Sequence, residues 1–276
     1  MKLSNLWKEK EVTLSFEAFP PKKDSDFASV AIAVEKIAQL KPDFMSVTYG
    51  AGGGTSAYTT QIAQIVQGQG VTALAHLTCV SSDRQRIHHE LDALRQAGIE
   101  NILALRGDYP EGYDPAAPRD YRYARDLVED IRAYGGFAIG GACYPEGHVE
   151  CASQAEDLRH LKEKVDAGAQ HLVSQLFFDN ADFYRMRELC AQAGIRVPIE
   201  AGIMPVVNAA QVQRMVTMCG AKLPPKFSKM IARYDGNPQA LYDAGINYAI
   251  DQVTDLLASG VDGIHVYAMN NPDVAS

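Results

Sequence analysis

Asn101-Ile102-Leu103-Ala104-Leu105-Arg106-Gly107-Asp108 is a short apolar run that stops at a cation, a glycine and an anion. A run of this length fits a strand buried on both faces, and the charged side chains that end it cannot stay in such a core. In parallel α/β sheets, polar residues at the carboxyl end of a buried strand are where ligands sit. Two readings of the tripeptide stand side by side. Arg106 and Asp108 form an ion pair closing an ordinary strand, or the permissive Gly107 lets cation and anion grip a ligand together.

The rest of the chain bears on the choice by repeating the construction. Apolar runs recur at 12–19, 43–49, 71–79, 101–105, 137–144, 171–178, 197–204 and 263–269. Amphipathic stretches of helical length occupy 27–40, 56–67, 83–97, 121–134, 153–167, 181–193, 209–219 and 238–259. Strict alternation of the two patterns predicts βα units on a parallel sheet. The joins Ala97-Gly98-Ile99, Ala167-Gly168-Ala169, Ala193-Gly194-Ile195 and Ser259-Gly260-Val261 each set a small residue and a Gly between helix and strand. Gly ends a helix in the left-handed conformation at low cost, so the chain turns at once into the next strand. Eight such units predict a single α/β domain over residues 1–276, a (β/α)8 TIM barrel, with an open doubly wound sheet as the alternative. A Pro/Gly-rich loop at 109–120 and an elaboration at 222–238 interrupt the pattern without forming a linker.

Composition supports a large core. The 276 residues are 47% hydrophobic and 22% charged, and a barrel needs ~250 residues. The net charge of −8 argues against wide contact with nucleic acid or an anionic membrane, while leaving room for a local cationic pocket. Residues 1–10 contain no apolar signal core and no run is long enough to span a bilayer, so a cytoplasmic location is expected. Cys79, Cys143, Cys151, Cys190 and Cys219 form no C-x-x-C, which predicts reduced thiols and no metal site.

In a barrel, nearly every strand would deliver a polar residue to the same rim: Glu17, Thr48 with Tyr49, His76, Arg106 with Asp108, Tyr144, Gln175, and Tyr267 with Asn270. Packing alone calls for apolar residues there, so this set predicts a large polar-lined site. Glu17 lies between Phe16 and Phe19, an environment that suits a general acid, although a pair with a barrel cation such as Lys164 fits as well. The segment Tyr49-Gly50-Ala51-Gly52-Gly53-Gly54-Thr55 lets backbone N–H groups approach a ligand, but it is neither a dinucleotide fingerprint nor a Walker A loop, and a plain flexible turn fits equally. His76 reads as a core histidine or as a ligand contact. After the turn Tyr144-Pro145-Glu146-Gly147-His148, the residues Asp157, His160 and Lys164 share one helix face, either solvated or meeting the ribose, phosphates or adenine of a long cofactor.

Several of these pieces follow one another in an order that resembles the methylenetetrahydrofolate reductases. They are Ser15-Phe16-Glu17-x-Phe19-Pro20-Pro21, Ser46-Val47-Thr48-Tyr49-Gly50-Ala51, His76-Leu77-Thr78-Cys79, Ala104-Leu105-Arg106-Gly107-Asp108, Tyr144-Pro145-Glu146-x-His148, Lys164-Val165-Asp166-Ala167-Gly168-Ala169, Gln175-x-Phe177-Phe178-Asp179 and Gly202-Ile203-Met204-Pro205. The resemblance implies a flavin-dependent barrel that reduces 5,10-methylenetetrahydrofolate to 5-methyltetrahydrofolate, with non-covalent FAD and ping-pong use of NAD(P)H. It implies flavin contacts at Thr48, Tyr49, Ala51, His76, Arg106, Gly107 and Asp108, and outer FAD contacts at Tyr123, Ala124, Tyr144, His148, Asp157, His160 and Lys164. The family more often has Asn where His160 stands. Glu17 matches the acid that helps generate the reactive iminium form of the folate, and Asp108 a carboxylate near both flavin and pterin. Gln175 and Gln211 match substrate contacts, with Tyr267 beside them on the rim.

Two positions depart from the bacterial pattern: Met215 replaces an aromatic that stacks on nicotinamide and folate, and Asn271 replaces an Arg that meets the folate's carboxylates. Ending soon after its eighth strand, the chain is expected to lack the regulatory domain of eukaryotic members. A homo-oligomer is expected through an outer helix, and a partner subunit is an alternative electron donor. Two other functions compete with the reductase. One is a cofactor-free barrel lyase or aldolase using Glu17, His76 and Lys164; the other is a non-catalytic or partner-dependent subunit.

Overall fold

Each apolar run forms a short strand because its residues must be covered on both faces, and eight such strands satisfy that by closing on themselves. The computed structural model describes residues 1–49, 56–109, 112, 114 and 117–276. Its strands are β1 (Thr13–Ala18), β2 (Phe44–Val47), β3 (Thr72–Thr78), β4 (Asn101–Leu105), β5 (Ala138–Cys143), β6 (His171–Ser174), β7 (Ile199–Ile203) and β8 (Gly263–Val266). Every strand pairs in parallel with the next, and β8 pairs back onto β1, with Ser15 opposite His265. The fold is a closed single-domain (β/α)8 barrel, so the open-sheet alternative falls.

Around it lie the helices α1 (Leu6–Glu9), α2 (Phe27–Ala38), α3 (Ser56–Gly68), α4 (Arg84–Gln96), α5 (Ala124–Tyr134), α6 (Gln154–Ala167), α7 (Asn180–Gln192), α8 (Ala209–Cys219), α9 (Pro225–Tyr234), α10 (Pro238–Ala258) and α11 (Pro272–Ala275). Two boundaries differ instructively from expectation. The sixth apolar run reaches 178, but β6 ends at Ser174 because the Gln175 side chain accepts from Leu176 N at 2.9 Å and turns the chain. Phe177 and Phe178 are buried beyond the strand, stacked on Phe183 and Phe227. The elaboration at 222–238 contains α9, started by Pro225 at a position where a missing N–H costs nothing.

One end of the barrel is plugged. Leu3 and Leu6 pack on Phe44, Leu74, Leu103 and Val173, while Leu3 N donates to Asn101 Oδ1 at 2.7 Å and Trp7 Nε1 to the Asp262 carbonyl at 3.2 Å. The Trp7 ring lies 5.1 Å from His171, whose two nitrogens have no hydrogen-bond partner among the described residues. Gly140 makes room for this ring, since a Cβ there would collide with it. The plugged floor leaves the opposite end, where the strands finish, as the open one.

Burial pushes His171 down to about 3, and nearby His265 acts in the same direction. The unfolded chain takes up this proton near ~6.5, so stability conferred by a neutral ring is full above that pH and lost as the pH falls toward about 3. His171→Leu is expected to make the urea midpoint fall less steeply between about pH 7 and about pH 4. An unchanged slope would mean that the ring is not held neutral.

Candidate active site

The strand ends surround a cleft of about 980 Å³. Glu17 reaches it from β1, Thr48 and Tyr49 follow β2, and His76 comes from β3; Arg106, Gly107 and Asp108 follow β4. Tyr144 and His148 follow β5, Gln175 follows β6 and Tyr267 follows β8. Tyr123 and Ala124 enter at the start of α5, and Asp157, His160 and Lys164 from α6. Residues remote in sequence thus share one opening. Ala51 lies outside the described residues. Gln211 does not line the cleft: it sits in the first turn of α8, where its side chain accepts from Val207 N at 3.1 Å.

At the centre, the buried Glu17 places Oε2 3.5 Å from His76 Nε2, 3.8 Å from His265 Nε2 and 3.4 Å from Ser46 Oγ. The expected alternative of a pair with Lys164 does not occur, because Lys164 Nζ donates to the Ala142 carbonyl at 2.6 Å. Burial lowers His76 to about 4, against the opposing pull of Glu17 and with a further push from His265. At neutral pH His76 is therefore uncharged. Tyr267 is edge-on to His265 at 5.0 Å and donates its hydroxyl to the Ser174 carbonyl at 2.7 Å, so its phenol is fixed.

Arg106 pairs with Glu150, at 2.6 and 2.9 Å, and not with Asp108; the strand-closing ion pair is thereby corrected. The guanidinium also lies 4.1 Å from the Tyr109 ring centroid. Its hydrogen bonds hold Glu150 below the usual carboxylate range. Gly107 is required twice over: its φ is +87°, and a Cβ would stand 3.0 Å from Val80 Cγ1. Asp108 is left exposed at the mouth.

An outer arm extends from this centre. Tyr144 meets His148 edge-on at 4.6 Å, and Tyr123 stacks on His160 at 4.7 Å. Burial raises Asp157 and lowers both Lys164 and His148. Flat rings, a half-buried carboxyl and a half-buried amine along one groove suit a long ligand with aromatic and polar parts. Of the two departures from the bacterial pattern, Met215 is buried in the packing of α8, and Asn271 caps α11 by accepting from Asp273 N at 3.0 Å.

The polar rim residues legible in the sequence include none from the seventh strand. There β7 supplies Glu200, wholly buried, which accepts from Thr13 Oγ1 and from Ser15 Oγ beside an equally buried His265. The signal was a single carboxylate inside Val197-Pro198-Ile199-Glu200-Ala201, matched by one histidine inside Gly263-Ile264-His265-Val266.

The family model for methylenetetrahydrofolate reductase matches residues 2–276. The chain is 36% identical over 266 residues to a 5,10-methylenetetrahydrofolate reductase of Pectobacterium carotovorum subsp. carotovorum, covering 96% of this chain and 88% of that one. It is 35% identical over 283 residues to methylenetetrahydrofolate reductase (NADH) 1 of Arabidopsis thaliana, spanning 98% of this chain but 48% of that protein. Among solved structures, a Clostridium thermocellum protein that binds two copies of 5-methyl-5,6,7,8-tetrahydrofolic acid superposes with a TM-score of 0.67 at 11% identity, covering all of this chain and 98% of that one. At that identity the likeness concerns the fold.

In nuclear magnetic resonance spectra of ring-labelled histidine, His76 is expected to stay neutral from about pH 8 to about pH 5. Glu17→Gln should lower its midpoint further, since the Glu17 charge is what raises it. A midpoint that rises in the variant would contradict the arrangement.

Proposed function

The chain belongs to the methylenetetrahydrofolate reductase family, and from that premise we propose that it reduces 5,10-methylenetetrahydrofolate to 5-methyltetrahydrofolate with electrons from NAD(P)H passed through FAD. The observation that carries this reading is the meeting of Glu17 from β1 and Asp108 from the end of β4 in one cleft. Its volume lies in the range of ligand sites, and its lining changes from acid and imidazole at the centre to rings, Asp157 and Lys164 along the arm. That sequence of groups fits a flavin with a long polar tail. Thr48, Tyr49, His76, Arg106, Gly107 and Asp108 would hold the ring and its chain, together with Ala51. Tyr123, Ala124, Tyr144, His148, Asp157, His160 and Lys164 would hold the remainder.

A bound FAD would supply the hydride chemistry between nicotinamide and the methylene carbon of folate, in ping-pong fashion. The protein's part is to bind, orient and move protons. Glu17 donates the proton that opens the folate ring to its reactive iminium form, and the absence of a charged His76 beside it keeps that proton transferable. Asp108, Gln175 and Tyr267 contact the substrate, while Gln211 is engaged in the first turn of α8. Residues 1–276 act as one flavin-binding catalytic domain of a cytoplasmic homo-oligomer. Among the described residues no helix is long and apolar enough to cross a membrane.

Purified protein is expected to be yellow and to release flavin on denaturation; colourless, active protein would sink the reading in favour of a cofactor-free lyase. Stopped-flow reduction by NADH and by NADPH identifies the donor, and failure with both would point to a partner subunit. Glu17→Gln should slow the folate-dependent step roughly 10²–10⁴-fold while nicotinamide still reduces the flavin. Removing the negative charge in Asp108→Asn should raise the flavin's reduction potential, read by dye equilibration.

A further inference from the structure

The interior below Glu17 holds a row of polar side chains that hydride transfer does not use. Ser15 Oγ lies 2.7 Å from Glu200 Oε2 and 2.7 Å from His265 Nδ1. The other ring nitrogen of His265 is 3.4 Å from Ser46 Oγ, which in turn is 3.4 Å from Glu17 Oε2. Glu200, Ser15, His265 and Ser46 are all fully buried. Gly263 leaves space for the carboxyl, since a Cβ there would stand 2.7 Å from Glu200 Oε1.

Every intermediate member of this row can both donate and accept a hydrogen bond, so the row has two complementary settings. We propose that Glu200 is a positioning residue for the proton on Glu17, with one proton shared between the two carboxyls through Ser15, His265 and Ser46. The proposal rests on the reading of Glu17 as the acid. At rest the shared proton sits on Glu200 and Glu17 carries the charge. As folate enters, the Glu200 proton passes to Ser15 Oγ, the Ser15 proton to His265 Nδ1, the Nε2 proton to Ser46 Oγ, and the Ser46 proton to Glu17 Oε2. Glu17 is then neutral, Glu200 carries the charge, His265 has changed tautomer, and no electrons move. When Glu17 protonates the folate nitrogen, its O–H bond breaks and an N–H bond forms, and the new positive charge faces Glu17. Water restores the lost proton through Glu17 once product leaves.

The surroundings favour this sharing. Two buried carboxylates at the ends of one hydrogen-bonded row resist being charged together. Burial pushes Glu200 up to about 7, while His265, Thr13 and Ser15 pull the other way and Asp43 adds to the rise. Asp43 itself is held at the surface by Lys10. Among the groups around the row, burial lowers His76 to about 4 and His171 to about 3, and raises Tyr267 and Cys219.

The test is an infrared pH titration of the flavin-loaded protein, with carboxyl-labelled glutamate, in wild type, E17Q and E200Q. Wild type should show a protonated buried carboxyl that titrates near neutrality and is absent from E200Q. In E17Q the Glu200 midpoint should fall by about one pH unit, as coupled sites require. In single turnovers, E200Q should slow the folate-dependent step roughly 10-fold and lose its pH dependence near neutrality, with E200D restoring part of both. An unshifted Glu200 midpoint in E17Q, or a wild-type pH profile in E200Q, overturns the shared proton. Should E200Q fail to fold, wild type against E17Q decides alone. If E17Q instead keeps a full folate-dependent step, the assignment of Glu17 as the acid fails, and the infrared coupling still judges the row by itself.

Discussion

The pairing of β8 with β1 is the constraint on which everything else depends. It sets Ser15 beside His265 and is locked at the rim by Asn270, whose side chain accepts from Phe19 N at 2.9 Å and donates to the Phe19 carbonyl at 2.7 Å across 251 positions of sequence. Met269 and Asn270 adopt left-handed φ values of 54° and 56° to reach this clasp, a conformation that costs non-glycine residues free energy and persists only where the surroundings impose it. Opening that seam would separate Glu17 from Tyr267 and His265, and Glu200 from Ser15.

Closure also buries polar side chains inside the ring, among them Ser15, Ser46, His171, Glu200 and His265. The N-terminal plug of Leu3, Leu6 and Trp7 covers the floor, so polar groups above it must satisfy one another or remain neutral. His171 takes the second course, while Glu200 takes the first through Thr13 and Ser15. A small shift in proton position is consequential there, because burial weakens screening.

Toward the mouth the balance changes. Arg106 is held by Glu150 and Tyr109, with Asp108 facing solvent nearby, so the tripeptide that first drew attention works as separate parts. Its cation anchors the loop after β5, its glycine lets the chain pass Val80, and its anion is left at the opening. The family membership and the cleft agree on a large substrate, and the chain's own departures, Met215 and Asn271, are both engaged in local structure: one packed in α8, the other capping α11.

Sequence alone determined the alternation of strands and helices, the reduced thiols as an expectation, and the polar strand tips from Glu17 to Tyr267, because apolar periodicity and residues out of place in it are local signals. The run 101–105 is strand to the residue, and 209–219 is helix to the residue. Partners were not legible: Glu150 rather than Asp108 for Arg106, the Ala142 carbonyl rather than Glu17 for Lys164, and Glu200 for Ser15. Gln211, named from resemblance, caps α8 instead of lining the cleft. Only the tertiary structure decided these matters, since a hydrogen bond or ion pair depends on distances across the closed ring, and positions along the chain carry no record of which strand ends up opposite.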